Sequence, residues 1–563
     1  MEVIVMKLLE AKSITLKHYL SLSNGTLCIP YSQRPYEWGK DQAVRLFNDL
    51  YSVHTNPNEK HVLNFITVYE EDNNKYIYDG QQRSVSVILI ICTLIKKLRE
   101  IGSDSIANSI TSDFVYTEDW SNDSVNYKIV FEKESANNIF RNYISKGLKI
   151  PDDISLSDYE RSMKNNYELF ELLLNDKLGT TPTFEKIRTV VKNMVDNVML
   201  ILLETSSEDI AIKMFDTLNS TGLQLADFYV LKNSLVRVLG EEHVKSTWET
   251  IESNTDGLNK NKFLSTYVNS FNGKTQEKNL FTKISTKRHI EDPLNAQTLL
   301  SELETSSKSF LTIDSPRQRT DGSETEQIEF TKHINSLKIT KAIQYKPVII
   351  AMDIRGYSLK DINQVLNSIT RLQYRNIFIG QEPGNTLEKF YPDLAKSIYD
   401  KTITTLDDIL EKIHAMMLND LILLERFNSK LINTRNDEVI FRHILREIYN
   451  SKNAELKINS DTMQITLEHI LPKNPKLNSK WVEDFDDEIR EKYTYSIGNI
   501  TVLFGSLNSA AKNKDFIDKV KEYEKSEIPQ NKIIAQNSKW TSTEIDKRTL
   551  ELYNSFITIW NKI

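Results

Sequence analysis

HVLNFITVYEEDNNKYIYDGQQRSVSVILIICTLIKKLRE, residues 61–100, contains a change of periodicity that decides the fold around it. HVLNFITVY (61–69) and KYIY (75–78) are strand-length runs rich in β-branched and aromatic residues. Asp72, Asn73 and Asn74 between them are turn formers, so the pair predicts a β-hairpin. Asp79-Gly80 then breaks the strand, and VSVILIICTLIKKLRE predicts a long, buried helix. Its longest apolar run, Val87–Ile95, is less than half a membrane span.

Upstream, Leu27–Tyr31 reads as a short strand, and Val44, Leu46, Phe47 and Leu50 give 41–51 a helical spacing. This first unit is therefore expected to be α+β. Downstream the apolar spacing is helical over 159–175, 184–203, 210–239 and 343–351, with polar connections at 253–262 and 312–327. Near Asn450 the pattern changes again. TMQITLEHI (462–470) alternates like a strand, an acidic loop spans 483–488, and YSIGNITVLF (495–504) adds a second strand. A helix is expected over 507–523, and a last one opens on the capping box Thr541–Glu544 and runs to Trp560. The fold class is mainly α with α+β ends.

Composition narrows the function classes. The chain has 563 residues, 39% hydrophobic and 26% charged, which describes a soluble protein of several packed units. Sixteen glycines and 13 prolines are about half or less of ordinary usage, which favours helix. Cys28 and Cys92 lie far apart with no CxxC spacing, so neither a disulfide framework nor a cysteine-rich zinc site is expected. The charged N-terminus lacks a signal-peptide core, and a cytoplasmic protein with no membrane partner is expected. A net charge of −7 argues against coating nucleic acid by bulk electrostatics. From Lys430 onward, however, 21 basic side chains face 20 acidic ones, so this end is the less repelled by phosphate.

Two groups of residues carry chemistry. IPYSQRPYEW (29–38) and YDGQQR (78–83) set Gln33, Arg34, Asp79, Gly80, Gln81, Gln82 and Arg83 around a helix start. Free N–H groups there, with two guanidiniums, suit phosphate, and Asp79 suits a metal ion or a water. The plainer reading is a turn with Asp79 as helix cap and Arg83 as a surface ion pair. A third piece, MFDTLNSTGLQLADFYVLKN (214–233), places Asn219 and Gly222 at a helix break, before Asp227 and Lys232. At the other end, LEHILPKNP (467–475) puts Glu468 beside His469 at a strand end, followed by Asn499, Asn508 and Asn513. Strand, loop, strand and helix in that order are the layout of a ββα-metal nuclease site. His469 suits the base, and Glu468 and Asn508 offer oxygens for a hard cation. Read alone, a histidine at a strand end is as easily a satisfied core residue.

Taken together the segments resemble the GmrSD family of modification-dependent restriction endonucleases. The resemblance rests on Pro30, Gln33, Arg34, Trp38, DGQQR (79–83) and LNSTG (218–222), and then on EHILP (468–472), IGN (497–499) and LN (507–508). Asn513, Phe516, Lys519, Trp540, Ile545 and Arg548 complete it. It implies a ParB/sulfiredoxin-like domain over 1–105 that binds and hydrolyses NTP (GTP, ATP or UTP). A helical extension over 106–240, a helical middle over 241–429 and an HNH nuclease domain over 430–563 would follow. Asp79 and Arg83 would be catalytic in the first site, with Gln33, Arg34, Gly80, Gln81 and Gln82 binding the nucleotide. In the second, His469 would be the base and Asn499 would hold its loop. Glu468, Asn508 and Asn513 would be candidate ligands of Mg²⁺ or Mn²⁺. The expected partners are DNA, modified phage DNA in particular, a nucleoside triphosphate, and a second copy of the chain if both strands are cut. A nucleotide-responsive DNA-binding or regulatory NTPase with little nuclease activity is the rival. Family members commonly carry an acidic residue where this chain has Tyr229.

Overall fold

The computed structural model describes residues 10–21, 25–31, 33–55, 60–71, 74–208, 210–211, 214, 227–278, 280–452, 457–458 and 465–562. They form two compact units, Met1–Asn261 with Asn279–Ser301, and Lys262–Lys278 with Glu302–Ile563. Strands occur towards the two ends of the chain, and among the described residues of 241–429 every regular element is helical.

The first unit is built on a six-stranded mixed sheet. Its strands are β1 (Glu10–Thr15), β2 (Leu27–Cys28), β3 (His61–Glu71), β4 (Asn74–Asp79), β7 (Ile129–Val130) and β8 (Val198–Thr205). They lie in the order β1-β8-β3-β4-β2-β7, while β5 (Tyr116–Asp119) and β6 (Ser124–Tyr127) form a separate antiparallel ribbon. The expected hairpin is β3–β4, antiparallel, with a register break between Thr67 and Val68. β8 corrects the helix expected over 184–203. That helix stops at Asn197, and Val198–Thr205 pairs antiparallel with β1 and parallel with β3. A short apolar run fits either a buried helix or a buried strand, and here two strands with open edges decide it. β1 itself escaped the sequence reading.

After Asp79 the chain turns through Gly80, whose φ of 90° is open to glycine at little cost. A Cβ there would also stand 2.7 Å from Ile66 Cγ1. The helix Gln81–Glu100 follows and is buried almost all round, because it packs against the helices Asp104–Phe114, Asp158–Leu178 and Phe184–Asn197. That surrounding explains why its sequence is apolar on every face.

The second unit ends in two antiparallel strands, β9 (Ile465–His469) and β10 (Ile500–Phe504), flanked by the helices Arg435–Lys452, Gly505–Ala511, Phe516–Glu524 and Ser542–Ile559. The continuous helix expected over 507–523 is two helices. They part at Lys512, whose φ is 40°, and the turn re-aims the second so that Lys519 reaches β9. The capping box at Thr541 and Glu544 forms as expected.

Candidate functional site

In the first unit the structure gathers the N-terminal motif residues in one place. Gln81 Nε2 donates to Arg34 O (2.6 Å) and Gln82 Nε2 to Pro35 O (2.8 Å). Gln82 Oε1 accepts from the backbone N–H groups of Glu37 (2.9 Å) and Trp38 (3.2 Å). The two glutamines thus pin the 34–38 loop across the helix start. Both side chains are buried, and their amide nitrogens are taken up by the loop carbonyls. Gly80, not Asp79, holds the N-cap position, and Asp79 Oδ1 accepts the Gly80 N–H (2.7 Å). Arg83 lies 3.7 Å from Asp79 Oδ1 and stays partly exposed, with Arg34 on the loop beside it. Gln33 is 3% exposed, and its Nε2 meets no partner among the described residues. The motif LNSTG, with Asn219 and Gly222, lies outside the described residues. Tyr229 donates to the Glu37 carboxylate, and Lys232 is buried between Glu132 and Glu252, so both bind the segment to the core.

In the second unit alternation along β9 separates the two residues expected to act together. Glu468 points to the helix Phe516–Glu524, where its Oε1 accepts from Lys519 Nζ (2.6 Å) and Tyr523 OH (2.9 Å). Burial pushes the Glu468 carboxyl up and the Lys519 ammonium down, each towards its neutral form, against their mutual attraction. His469 faces the other way, into a cavity of about 360 Å³ walled by the helix Arg435–Lys452. It is 9% exposed, and its Nε2 has no partner among the described residues. Burial pushes its pKa down to about 3, with Lys473 and Lys519 acting in the same direction, so the imidazole is neutral at pH 7.

The backbone after His469 is locked by Asn499. Its Oδ1 accepts from Leu471 N (2.7 Å) and Trp540 Nε1 (3.1 Å), while its Nδ2 donates to Leu471 O (3.0 Å) and Thr494 O (2.9 Å). Arg548 holds the same corner through Gly498 O (2.6 Å) and Ile500 O (2.9 Å). A Cβ on Gly498 would collide with Ile545 O and Thr549 Oγ1, so the motif needs glycine for helix approach. Asn508 Nδ2 donates to Thr466 Oγ1 (2.8 Å) and Leu467 O (2.9 Å), which leaves Oδ1 for a ligand. Asn513 is exposed in the turn after that helix.

Residues 16–236 match the family model described as GmrSD restriction endonuclease, N-terminal domain. Residues 418–555 match that of GmrSD restriction endonucleases, C-terminal domain. The chain belongs to the GmrSD restriction endonuclease family. No curated protein shows significant similarity to it. The GmrSD N-terminal match takes in the pinned loop and the DGQQR turn, and the C-terminal match takes in β9, β10 and every residue that anchors them. No described helix of this GmrSD enzyme is long and apolar enough to cross a membrane. No group of three or more His, Cys, Asp or Glu side chains poised for a metal ion occurs among the described residues. As placed, Glu468 does not fit a cation shell shared with His469, because its charge is answered by Lys519 on the opposite face. Sequence reading missed that pairing, and also missed Arg435, Arg442 and Lys473 around His469. The i, i+7 spacing of Arg435 and Arg442 on one helix was the available clue.

Proposed function

We propose that this restriction enzyme is a DNA endonuclease of the HNH type, controlled by a nucleoside triphosphate bound at the DGQQR turn. The observation that carries the nuclease assignment is His469. It is a neutral imidazole whose Nε2 has no partner among the described residues, set in the wall of a cavity and fixed from behind by Asn499 and Lys519. A group so placed can take a proton from water as it attacks a phosphodiester. Asn499 acts by position, holding the Leu471 backbone, and Lys519 Nζ holds His469 O (2.8 Å). In the first unit, the free N–H groups of Gln81–Arg83 with Arg34 and Arg83 would receive phosphates, and Gln82 would set the loop. Asp79 would orient water or a cation there.

Hydrolysis of this kind ordinarily draws charge stabilisation from a hard cation such as Mg²⁺ or Mn²⁺. Asn508 Oδ1 is the donor best suited to one, Asn513 stands nearby in sequence, and Glu468 does not fit. Modified phage DNA is the proposed substrate, in antiphage defence, and a second copy of the chain would allow both strands to be cut. The test is plasmid cleavage by His469→Ala with Mg²⁺ or Mn²⁺. Loss is expected, and undiminished cleavage would refute His469 as the base. One observation favours the rival, a nucleotide-responsive DNA-binding protein that cuts little: Lys519 neutralises the carboxylate expected to bind metal.

A further inference from the structure

The cavity in front of His469 has an unbalanced charge. Arg435, Glu438, Val439 and Arg442 line it from one helix, at the i, i+3, i+4 and i+7 spacing that puts side chains on one face. Lys473 stands on the opposite rim, beyond the Asn499-locked backbone. Three cations thus surround an opening in which Glu438 is the one lining carboxylate among the described residues, and Glu438 is taken by Lys473 (2.8 Å). Arg435 has no ion pair or hydrogen bond among the described residues, and Arg442 reaches only Ile465 O at 3.5 Å. Two other arginines of this unit are neutralised. Arg319 forks onto Asp353 (2.7 and 3.0 Å), and Arg375 bonds Asp420 (2.5 Å) and two carbonyls. Two exposed guanidiniums without carboxylates, two helical turns apart, are roughly 10 Å apart along the axis. His469 lines the same cavity, and its buried Nε2, without a partner among the described residues, is an independent mark of a missing ligand.

We propose that Arg435, Arg442 and Lys473 form the seat for the DNA backbone, holding the phosphodiester under attack over His469 with a neighbouring phosphate on the second arginine. This rests on the nuclease reading above and names the side chains through which that site would grip its substrate. Guanidinium forks match the paired oxygens of a phosphate, and no Phe, Tyr or Trp ring on which a base could stack lines the cavity among the described residues. Lys473 exchanges Glu438 for phosphate as the strand enters, so Glu438 acts as a placeholder that DNA displaces. The reaction itself is hydrolysis. Water adds to phosphorus, its proton passes to His469, the P–O bond to the leaving strand breaks, and the departing oxygen takes a proton from solvent water to leave as a hydroxyl.

The test separates grip from chemistry. Binding is measured by anisotropy of a fluorescein-labelled DNA duplex in EDTA, where no turnover occurs, over a range of NaCl concentrations. Wild type, Arg435→Ala/Arg442→Ala, Arg435→Lys/Arg442→Lys and His469→Ala are compared. Removing two phosphate contacts should lower affinity by roughly 10- to 100-fold at low salt and flatten the slope of log K against log salt by about 2. The double lysine variant should keep most of the slope, and His469→Ala, which removes no cation, should keep the wild-type slope. Unchanged affinity and slope in the double alanine variant would overturn the proposal, as would a wild-type chain that does not bind the duplex at low salt. The substituted arginines are exposed, and an unchanged melting temperature confirms that the variants fold. Cleavage that survives His469→Ala while the double alanine variant loses binding would refute His469 as the base and leave the seat standing.

Discussion

Lys519→Met is the most informative perturbation of the buried strand β9. Lys519 Nζ lies 2.6 Å from Glu468 Oε1, and both side chains are buried. At an effective dielectric near 20 the attraction at that distance is roughly 6 kcal/mol, and desolvation of the two ions offsets much of it. Removing one partner alone strands a buried charge, a loss of about 3–5 kcal/mol. The His469 carbonyl, which Lys519 also serves at 2.8 Å, adds about 1 kcal/mol. For a folding unit of this size the single variant should melt roughly 6–20 °C lower. Glu468→Gln combined with Lys519→Met removes both charges and should recover most of that loss. Thermal melts of the two single variants and the double variant give the coupling energy. Plasmid cleavage by the double variant then decides the role of Glu468. If Glu468 serves structure, cutting returns with stability. A double variant that melts like wild type yet does not cut, where Lys519→Met alone still cuts below its melting temperature, would show that Glu468 touches the reacting atoms, and the assignment of its carboxylate to Lys519 would be refuted.

Asn499→Ala removes four side-chain hydrogen bonds at a fully buried corner. A loss of at least about 4 kcal/mol is expected in urea unfolding, since each stranded partner costs roughly 1–3 kcal/mol. Gln82→Leu should free the pinned loop, so that the Glu37 and Trp38 amides, which Gln82 Oε1 now accepts, exchange with deuterium at least tenfold faster; unchanged protection would show that something else holds the loop. Burial holds His333 and His443 down to about 4, whereas unfolded imidazoles titrate near 6.5. The unfolded chain therefore binds more protons between those values. Stability is full above about pH 6.5 and falls on acidification, by up to about 1.4 kcal/mol per pH unit for each histidine. The urea midpoint of the wild type at pH 5 should lie below that at pH 7, and His443→Gln should narrow the gap. Glu438→Gln should release Lys473 and raise DNA affinity two- to fivefold at low salt; weaker binding would contradict a placeholder role.

Much of the local structure was legible in the order of residues. The β3–β4 hairpin, the glycine turn, the buried helix after it, the second strand at 500–504 and the last capped helix all follow from local periodicity, turn chemistry and caps, which act within a few residues. The grouping of Arg34 with Asp79–Arg83 was also readable, because one loop and one turn supply it. What failed was non-local. Val198–Thr205 is a strand because β1 and β3 offer it edges, and no property of those eight residues alone says so.

The same divide runs through the site. Sequence alone singled out His469, Asn499 and Asn508, since each residue type brings its own chemistry wherever the chain carries it. Which side of β9 each one faces, and what meets it there, was decided by packing. Strand alternation turns Glu468 to Lys519 and His469 to the arginines of a helix thirty residues upstream, because neighbours on a pleated strand project to opposite faces and answer to different partners. Burial then fixes their charge, holding one imidazole neutral and binding one carboxylate to an ammonium, through a balance of desolvation and proximity that exists only once the tertiary structure has formed.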